Sequence, residues 1–475
     1  MSANPIEFQG AVATGEQLRL GTVSSRELTA HLLGRIDRLD GELKSYISVL
    51  PERALQKADQ ADEERAAGFN RGPLHGVPIA LKDLCDTDFA PASAGMAIHA
   101  DRIPAHNATV VDRLEQAGAV VLGKLSMTEG AFAGHHPKMP TPVNPWNRDY
   151  WTGASSSGSG VATAAGLCYG SLGSDTGGSI RLPSGACGLT GVKPTWGRVS
   201  RYGVAPLGES LDHIGPMTRN AADAAAMLAA IAGADPKDPT ALQASVPDYL
   251  GDIGKSVRGL RIGLDESYVF DGTDPEIAAA IGNAIEAFVS LGARVVPMDF
   301  PALGTLGENW MDLCALEAAI AHDSTYPARA AEYGPVLASF LDRGLAVTAF
   351  DIGKALLERA AFTGRLAAAL QEVDVLIAPV IPTCVPTSAE FARLAEEGLD
   401  ALLRFTAPFN MSGSPTITLN GGFDSHGVPI GFQLIGHHLS EGLLLRAGHA
   451  FQRVTDWHCR HPALAAAKIS DLVSA

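Results

Sequence analysis

The first part of the chain with a clear hydrophobic period begins at Ser24. Ser24 and Glu27 have the spacing of a helix N-terminal capping box. The apolar residues that follow recur at helical intervals, namely Leu28, Leu32, Leu33, Ile36 and Leu39. A second helix is predicted over 51–66, which is rich in Ala, Glu and Gln. These patterns predict an N-terminal helical segment over about residues 1–70.

Beyond residue 70 the pattern changes to short apolar runs that alternate with helical stretches. Buried strands are predicted at 77–81, 119–122, 260–264, 293–298, 374–378, 416–420 and 430–435. Helices are predicted at 110–117, 161–166, 221–232, 275–291 and 354–371. Strands that alternate with helices indicate an α/β fold with layers around a mostly parallel sheet.

Two segments show neither the helical nor the strand period of apolar residues. Residues 130–150 contain many Pro, His, Asn and Trp residues, which is typical of a long ordered loop or the wall of an active site. Residues 234–256 contain a cluster of Asp, Pro and Lys residues. That second segment is either an excursion of the chain or a weak domain boundary, and the pattern leaves both open.

Composition narrows the class of protein. Hydrophobic residues make up 46% and charged residues 19% of the chain, a balance that supplies ample apolar material for a core. The net charge of −16 repels phosphate backbones, so no nucleic-acid partner is expected. There is neither a signal-peptide pattern nor an apolar run of about 20 residues, so no membrane partner is expected. The six scattered cysteines fit free thiols and a cytoplasmic location.

Glycine and serine are concentrated between residues 152 and 191, where candidate chemistry appears. The run Asp175-Thr-Gly-Gly-Ser179 contains two glycines, which let the backbone turn sharply and approach a ligand closely. The backbone N–H groups of Thr176, Gly177, Gly178 and Ser179 are predicted to converge on a developing oxyanion. The Ser179 hydroxyl would then be a nucleophile beside its own oxyanion hole.

Other interpretations of this region are weaker. A flexible linker is disfavoured because an alanine-rich, helix-like segment follows directly at 161–166. Neither serine-rich run has the spacing of a phosphate-binding loop.

A serine hydroxyl is a weak nucleophile and needs a base. The chain has 14 histidines, so counting alone leaves a Ser-His-Asp triad open, but none of them lies in a recognisable partner motif. The histidine pairs at 135–136 and 437–438 and the run 458–461 lack the i, i+4 spacing with a glutamate that a zinc site uses, so no metal is predicted. His135, His136, Trp146 and Trp151 are instead candidates for lining a substrate pocket.

Several motifs that occur in order along the chain resemble the amidase signature family. They are Gly76–Asp83, Gly153–Ser159, Gly173–Pro183, Cys187–Thr195, Gly197–Gly203, Leu211–Arg219, Asp374–Pro379 and Gly427–Gly436. Because ordered matches along one chain are far more specific than any single match, the sequence is identified as a member of this family. The similarity extends from about residue 10 to residue 458.

The resemblance implies a Ser–cis-Ser–Lys triad in which Ser179 is the nucleophile, Ser155 the cis-serine and Lys82 the base. It also implies a cis peptide bond between Ala154 and Ser155. Ala154 and Ser157 stand where the family commonly has glycine, so the chain departs from the pattern next to that bond. Burial of Lys82 beside an apolar strand would lower its pKa and supply a neutral amine. This chemistry requires no metal and no organic cofactor.

The resemblance also implies the overall architecture. We expect a three-layer α/β/α sandwich around a large mixed sheet of about ten strands. We further expect one amidase domain over residues 1–475, with the signature core at about 71–230.

Within the family, the sequence favours a stand-alone hydrolase that cleaves C–N bonds of small neutral carboxamides through an acyl-enzyme on Ser179. Anilides and aliphatic amides are the expected substrates, and carbamates (urethanes) and esters are chemically close. The alternative is the A subunit of a tRNA-dependent glutamine amidotransferase, but that branch usually has an Asp where Leu403 falls here. The expected partner is a small-molecule substrate, and a homodimer is left open.

Overall fold

An eleven-stranded sheet runs through the computed structural model, which describes residues 5–464. The predicted domain, 1–475, therefore extends beyond the described residues at both ends. The strands are β1 (Tyr46–Val49), β2 (Pro78–Lys82), β3 (Val120–Leu125), β4 (Gly170–Asp175), β5 (Thr190–Lys193), β6 (His213–Thr218), β7 (Arg261–Leu264), β8 (Arg294–Pro297), β9 (Val375–Pro379), β10 (Thr416–Phe423) and β11 (Pro429–Gly436).

Helices fill most of the chain between these strands. In the described residues the α-helices are α1 (Ala11–Arg19), α2 (Ser25–Leu43), α3 (Pro51–Ala66), α4 (Thr109–Gln116), α5 (Ser157–Ala164), α6 (Arg181–Cys187), α7 (Ala221–Ile231), α8 (Tyr249–Asp252), α9 (Glu266–Phe270), α10 (Pro275–Ser290), α11 (Leu306–Ala321), α12 (Pro335–Ala346), α13 (Ala349–Ala369), α14 (Ser388–Glu397), α15 (Asp400–Leu403), α16 (Ala407–Met411) and α17 (Glu441–Gln452).

The strand order in the sheet is β1-β3-β2-β4-β6-β5-β10-β11-β9-β7-β8. β2 is parallel to β3 and β4, and β7 is parallel to β8 and β9. The other neighbouring pairs are antiparallel. The large mixed sheet is therefore confirmed, whereas the expectation from periodicity of a mostly parallel sheet is wrong. The β10–β11 hairpin and the β4-β6-β5 run make its centre antiparallel.

Helices cover both faces of this sheet. At β10, Gly448 of α17 faces Ile417 and Leu419, while Gly188 at the end of α6 faces Asn420. Because successive residues of a strand point to opposite faces, α6 and α17 lie on opposite sides of the sheet. All eight residues of β11 are buried, as expected for a strand covered on both faces. This is the predicted three-layer α/β/α arrangement.

The apolar periods located most elements well. The capping box at Ser24 is formed, because its side chain accepts from the Glu27 N–H and the Glu27 carboxylate accepts from the Ser24 N–H. The second helix covers 51–66 as predicted, and every predicted strand is present to within three residues at either end. Four strands were not predicted, namely β1, β4, β5 and β6. β4 and β5 are rich in glycine and poor in branched residues, so their strand conformation depends on pairing within the sheet.

The segment 234–256 contains the short helix α8 and otherwise irregular chain. Arg198 donates hydrogen bonds to the carbonyl groups of Ala244 and Ser245, at 3.0 and 2.9 Å. β6 before the segment and β7 after it belong to the same sheet. Within the described residues, none of the helices has both the length and the apolar character that crossing a membrane requires.

Candidate active site

Lys82 is the last residue of β2, a strand buried at all five positions. β2 lies parallel to β4, with Ala80 opposite Ser171. Carboxyl ends of parallel neighbours lie at the same edge of a sheet, which brings Lys82 next to Ser174 near the end of β4. The position of the amine is therefore set by two central strands rather than by a loop.

The Lys82 amine lies among three hydroxyl groups and is fully buried. Its Nζ is 2.7 Å from Ser155 Oγ, 2.9 Å from Ser156 Oγ and 2.7 Å from Ser174 Oγ. The peptide bond between Ala154 and Ser155 is cis, as the resemblance implies. The motifs predict the contact with Ser155, whereas the contacts with Ser156 and Ser174 are not predicted from the sequence.

Hydrogen-bond direction separates the roles of these hydroxyls. The Ser156 hydroxyl donates to the Ser174 carbonyl at 3.2 Å, so toward Lys82 it acts as an acceptor. A neutral amine keeps two N–H donors and one lone pair, and that lone pair is then left for the Ser155 or Ser174 hydroxyl. The geometry therefore allows Ser155 to pass its proton to Lys82.

Burial lowers the pKa of Lys82 to about 7, because the charged form loses its hydration. The nearby Cys85, Asp212 and Asp175 act in the opposite direction and offset only part of this effect. A substantial fraction of the amine is therefore neutral near pH 7, the condition that a general base requires.

The loop that carries Ser155 packs tightly against the segment that carries Ser179. Gly153 has φ = +78°, and a Cβ on it would lie 2.3 Å from the Pro183 Cα, so only glycine fits there. The Ser156 N–H donates to the Ser179 carbonyl at 3.3 Å. These contacts hold the two serine-bearing segments side by side.

The turn from Asp175 to Arg181 is organised around the buried Asp175 carboxylate. It accepts from the N–H groups of Gly178 and Ile180, at 2.8 and 3.1 Å, and from Arg181 Nη2 at 2.8 Å. Asn410 Nδ2 donates to it at 2.9 Å. Burial alone would raise the pKa of Asp175, but the Arg181 charge and these hydrogen bonds outweigh burial and lower it well below its usual range.

The carbonyl groups of this turn are held from the opposite side. Trp310 Nε1 donates to the Thr176 carbonyl at 2.8 Å, and Thr406 Oγ1 donates to the Gly177 carbonyl at 2.6 Å. In the described part of the chain, the N–H groups of Gly177 and Ser179 have no hydrogen-bond acceptor. The predicted oxyanion-hole donors are the N–H groups of Thr176, Gly177, Gly178 and Ser179. The N–H of Gly178 donates to the Asp175 carboxylate instead, so it is not available to an oxyanion.

Ser179 lines a small cavity of about 50 Å³. No charged side chain and no histidine belongs to its described lining. The lining consists of Ala131, Phe132, Ala133, Trp151, Ala154, Thr176, Gly177, Ser179, Leu182, Leu207, Trp310, Phe391, Leu399, Leu402 and Leu403. The arrangement therefore presents a serine hydroxyl to an apolar compartment.

Of the other residues predicted to line a substrate pocket, one lines the cavity and the others are outside its described lining. Trp151 lines the cavity and stacks on Phe391, with ring centroids 4.1 Å apart. Trp146 donates to the Cys187 carbonyl at 2.9 Å and is not part of the lining. His135 lies 3.0 Å from the Ser157 hydroxyl, so the serine that replaces a family glycine has a partner.

His136 is buried and accepts from the Lys138 N–H at 3.1 Å; like His135, it is not part of the cavity lining. In the described residues, no three metal-ligating side chains are grouped closely enough to hold an ion.

A family model described as amidase matches residues 27–445. The chain belongs to the amidase family. It is accordingly an enzyme that hydrolyses amides. Among curated amidase-family relatives, "Putative amidase AmiD" of Mycobacterium tuberculosis is 48% identical over 447 residues, covering 94% of each chain. The A subunit of glutamyl-tRNA(Gln) amidotransferase from Synechococcus is 39% identical, covering 94% of this chain and 97% of that protein.

Solved amidase-family structures share the fold along almost the whole chain. The peptide amidase PAM in complex with the inhibitor chymostatin superposes with a TM-score of 0.86 at 29% identity, covering 96% of this chain and 99% of that one. A 6-aminohexanoate cyclic dimer hydrolase complexed with substrate superposes with a TM-score of 0.88 at 28% identity, covering 97% and 100%.

Replacing Asp175 by Asn should destabilise the amidase strongly. Arg181 would remain fully buried without its counter-charge, which costs about 3–5 kcal/mol. The measurement is urea unfolding followed by circular dichroism. Asp312→Asn is the matched control because Asp312 pairs with Arg343 at the surface, where a pair contributes about 1 kcal/mol or less. Equal effects of the two substitutions would contradict this account of the site.

Proposed function

We propose that the protein is a serine hydrolase that forms an acyl-enzyme on Ser179 and uses Lys82 as the base through Ser155. The observation that carries the proposal is the position of the buried Lys82 amine, 2.7 Å from Ser155 Oγ. Ser155 lies on a loop that packs against the segment carrying Ser179. Among the described residues, the hydrogen-bond partners of that amine are three serine hydroxyls, and none of them is a charged side chain.

In this mechanism, neutral Lys82 accepts the Ser155 proton while Ser155 accepts the Ser179 proton. Ser179 Oγ then bonds to the substrate carbonyl carbon, and the carbonyl π electrons move to the oxygen. The N–H groups of Gly177 and Ser179, with that of Thr176, stabilise the resulting oxyanion.

When the C–N bond breaks, the protons return through Ser155 to the departing amine. Water then adds to the ester carbon, Ser179 leaves with its proton restored, and the carboxylic acid is released.

The proposed substrates are small, neutral amides with an apolar group beside the carbonyl. The cavity at Ser179 is lined by aromatic and aliphatic side chains, and burying an unpaired charge among them would be costly. Carbamates and activated esters present the same carbonyl chemistry and belong to the same proposal.

A second candidate is the A subunit of a glutamine amidotransferase, which the 39% identity to that protein of Synechococcus favours. The charged α-amino and α-carboxyl groups of glutamine need charged or strongly polar partners. Leu403 lies in the cavity wall at the position expected to bear a carboxylate in that branch, and the described lining has no charged side chain. The stand-alone hydrolase therefore remains the proposal.

The kcat/KM for a neutral anilide should rise about tenfold per pH unit up to pH about 7 and then level off. Below that pH, Lys82 is protonated and cannot accept a proton, whereas above it the neutral amine predominates. A pH series on purified enzyme with a non-titrating substrate measures this. Lys82→Arg should be inactive throughout, because a guanidinium stays protonated. A profile that is flat from pH 5 to 9 would oppose a lysine base.

Ser179→Ala should lower kcat for an anilide, an aliphatic amide and a carbamate by on the order of 10³-fold or more. The variant loses the only oxygen on which the proposed ester forms. Mass spectrometry of wild-type enzyme quenched with a nitrophenyl ester should show an acyl adduct on the peptide that contains Ser179. Ser184→Ala on the neighbouring helix is the control, and its activity should stay within a few-fold of wild type. Turnover of glutamine alone would favour the amidotransferase alternative.

Substrate charge offers a test that is independent of the nucleophile. An acyl chain that ends in a methyl group should be hydrolysed with a kcat/KM at least about 100-fold higher than a chain of equal length ending in a carboxylate. The reason is that the described lining of the cavity contains no charged side chain to pair with the carboxylate. Leu403→Arg should narrow this difference, and a wild-type preference for the carboxylate would overturn the substrate assignment.

A further inference from the structure

The long helix α13 turns a conspicuously apolar face to solvent. Phe350 is 75% exposed and Leu357 is 74% exposed, the two highest values among the large hydrophobic residues of the described chain. The opposite side of the helix is the one that packs on the protein, through Ala355, Phe362 and Leu366. The exposed face is therefore a second apolar surface rather than a misplaced part of the core.

The exposed face is a stripe that runs most of the length of α13. It consists of Phe350, Gly353, Leu357, Ala361 and Gly364, spaced three or four residues apart. A Cβ built on Gly353 or Gly364 would meet no other atom within 4 Å, so both glycines leave open space on the surface. Leu357 thus lies at the centre of the stripe, with one large and one small residue before it and two small residues after it.

We propose that this stripe is the contact surface for a second copy of the same chain, with the two α13 helices antiparallel about a twofold axis at Leu357. In that arrangement Phe350 of each copy lies opposite Gly364 of the other, and Gly353 lies opposite Ala361. The large side chain thereby enters the space left by the glycine. A twofold contact requires such self-complementarity, because one patch must match itself.

Charge supports the same pairing. Lys354, Arg365, Glu358 and Asp351 all lie along one flank of the stripe, two basic and two acidic. A twofold axis perpendicular to both helices brings this flank of one copy beside the same flank of the other. Within the chain these charges already form two exposed pairs, Lys354 with Asp351 at 3.0 Å and Arg365 with Glu358 at 2.7 Å. Reversal about Leu357 brings Lys354 near the other copy's Glu358 and Arg365 near its Asp351, so the pairs of the two copies join into one network of opposite charges.

The contact would also affect the neighbourhood of the site. Arg359 of α13 donates to the Met411 carbonyl and to Ser210 Oγ, both at 2.8 Å. α13 packs against α11, which carries Trp310 to the Thr176 carbonyl. A second copy would therefore restrict the movement of α13 and α11, the two helices that support the turn carrying Ser179.

Sedimentation velocity of the full-length chain tests the proposal. We expect a species of about twice 49.4 kDa at micromolar concentration. Leu357→Glu should raise the dimer dissociation constant at least 100-fold, because two carboxylates would meet on the axis. Leu20→Glu is the matched control, since Leu20 is 60% exposed elsewhere, and it should leave the dimer intact. A wild-type monomer at every concentration, or a dimer unaffected by Leu357→Glu, would overturn the proposal.

A cross-link examines the axis itself. In a Cys459→Ser background, which removes the exposed cysteine, Leu357→Cys should give a disulfide-linked dimer under mild oxidation. Only a residue close to a twofold axis meets its own copy, so Leu20→Cys should stay monomeric on a non-reducing gel. Failure of Leu357→Cys to cross-link while a dimer sediments would refute this geometry.

A lipid surface is the competing occupant of an exposed apolar helix face. Flotation with phosphatidylcholine and phosphatidylglycerol vesicles distinguishes the two. We expect wild-type protein to remain unbound, whereas vesicle binding that Phe350→Glu abolishes would assign the stripe to a membrane instead.

Discussion

The proposed chemistry of the site depends on keeping the Lys82 amine out of water without giving it a counter-ion. Three serine hydroxyls surround Nζ, so the amine is hydrogen-bonded but not paired with a carboxylate. A carboxylate in direct contact would favour the charged form of Lys82 and make it unfit for the proposed role of base. The two carboxylates whose charge acts on Lys82 are engaged elsewhere, because Asp175 pairs with Arg181 and Asp212 accepts from the Thr176 hydroxyl.

The turn that carries Ser179 depends on distant parts of the chain, because the Asp175–Arg181 pair needs further hydrogen-bond partners. Arg181 bonds to Asn410 Oδ1 at 2.6 Å and to the Thr406 carbonyl at 2.9 Å, although more than 220 residues separate them in sequence. The buried Asp175–Arg181 pair thus stays fully hydrogen-bonded, which a charge pair in a low-dielectric interior requires. The last third of the chain supplies these hydrogen-bond partners of Arg181. An isolated signature core would lack them, so its serine-bearing turn would be less stable.

Much of the fold could be predicted because most strands and helices carry their own period. The residues of the site could be named from motifs, but their spatial relation could not. Ser174 lies in β4, a strand without an apolar period, and its place beside Lys82 results from the β2–β4 pairing. The occupied N–H of Gly178 likewise depends on how Asp175 turns back on its own loop. Such contacts arise from tertiary packing, which local pattern does not encode.

The cavity wall and the groups proposed to transfer protons come from different parts of the architecture. Lys82 and Ser174 project from adjacent central strands, whereas Phe132 and Leu403 are supplied by segments outside the sheet. Changes in those outer segments can reshape the compartment while the spacing of the strands stays the same. Such a scaffold permits new substrate preferences to evolve by replacing the wall and retaining the chemistry. Relatives named for substrates as different as peptides and a cyclic dimer of 6-aminohexanoate are what this modularity would produce.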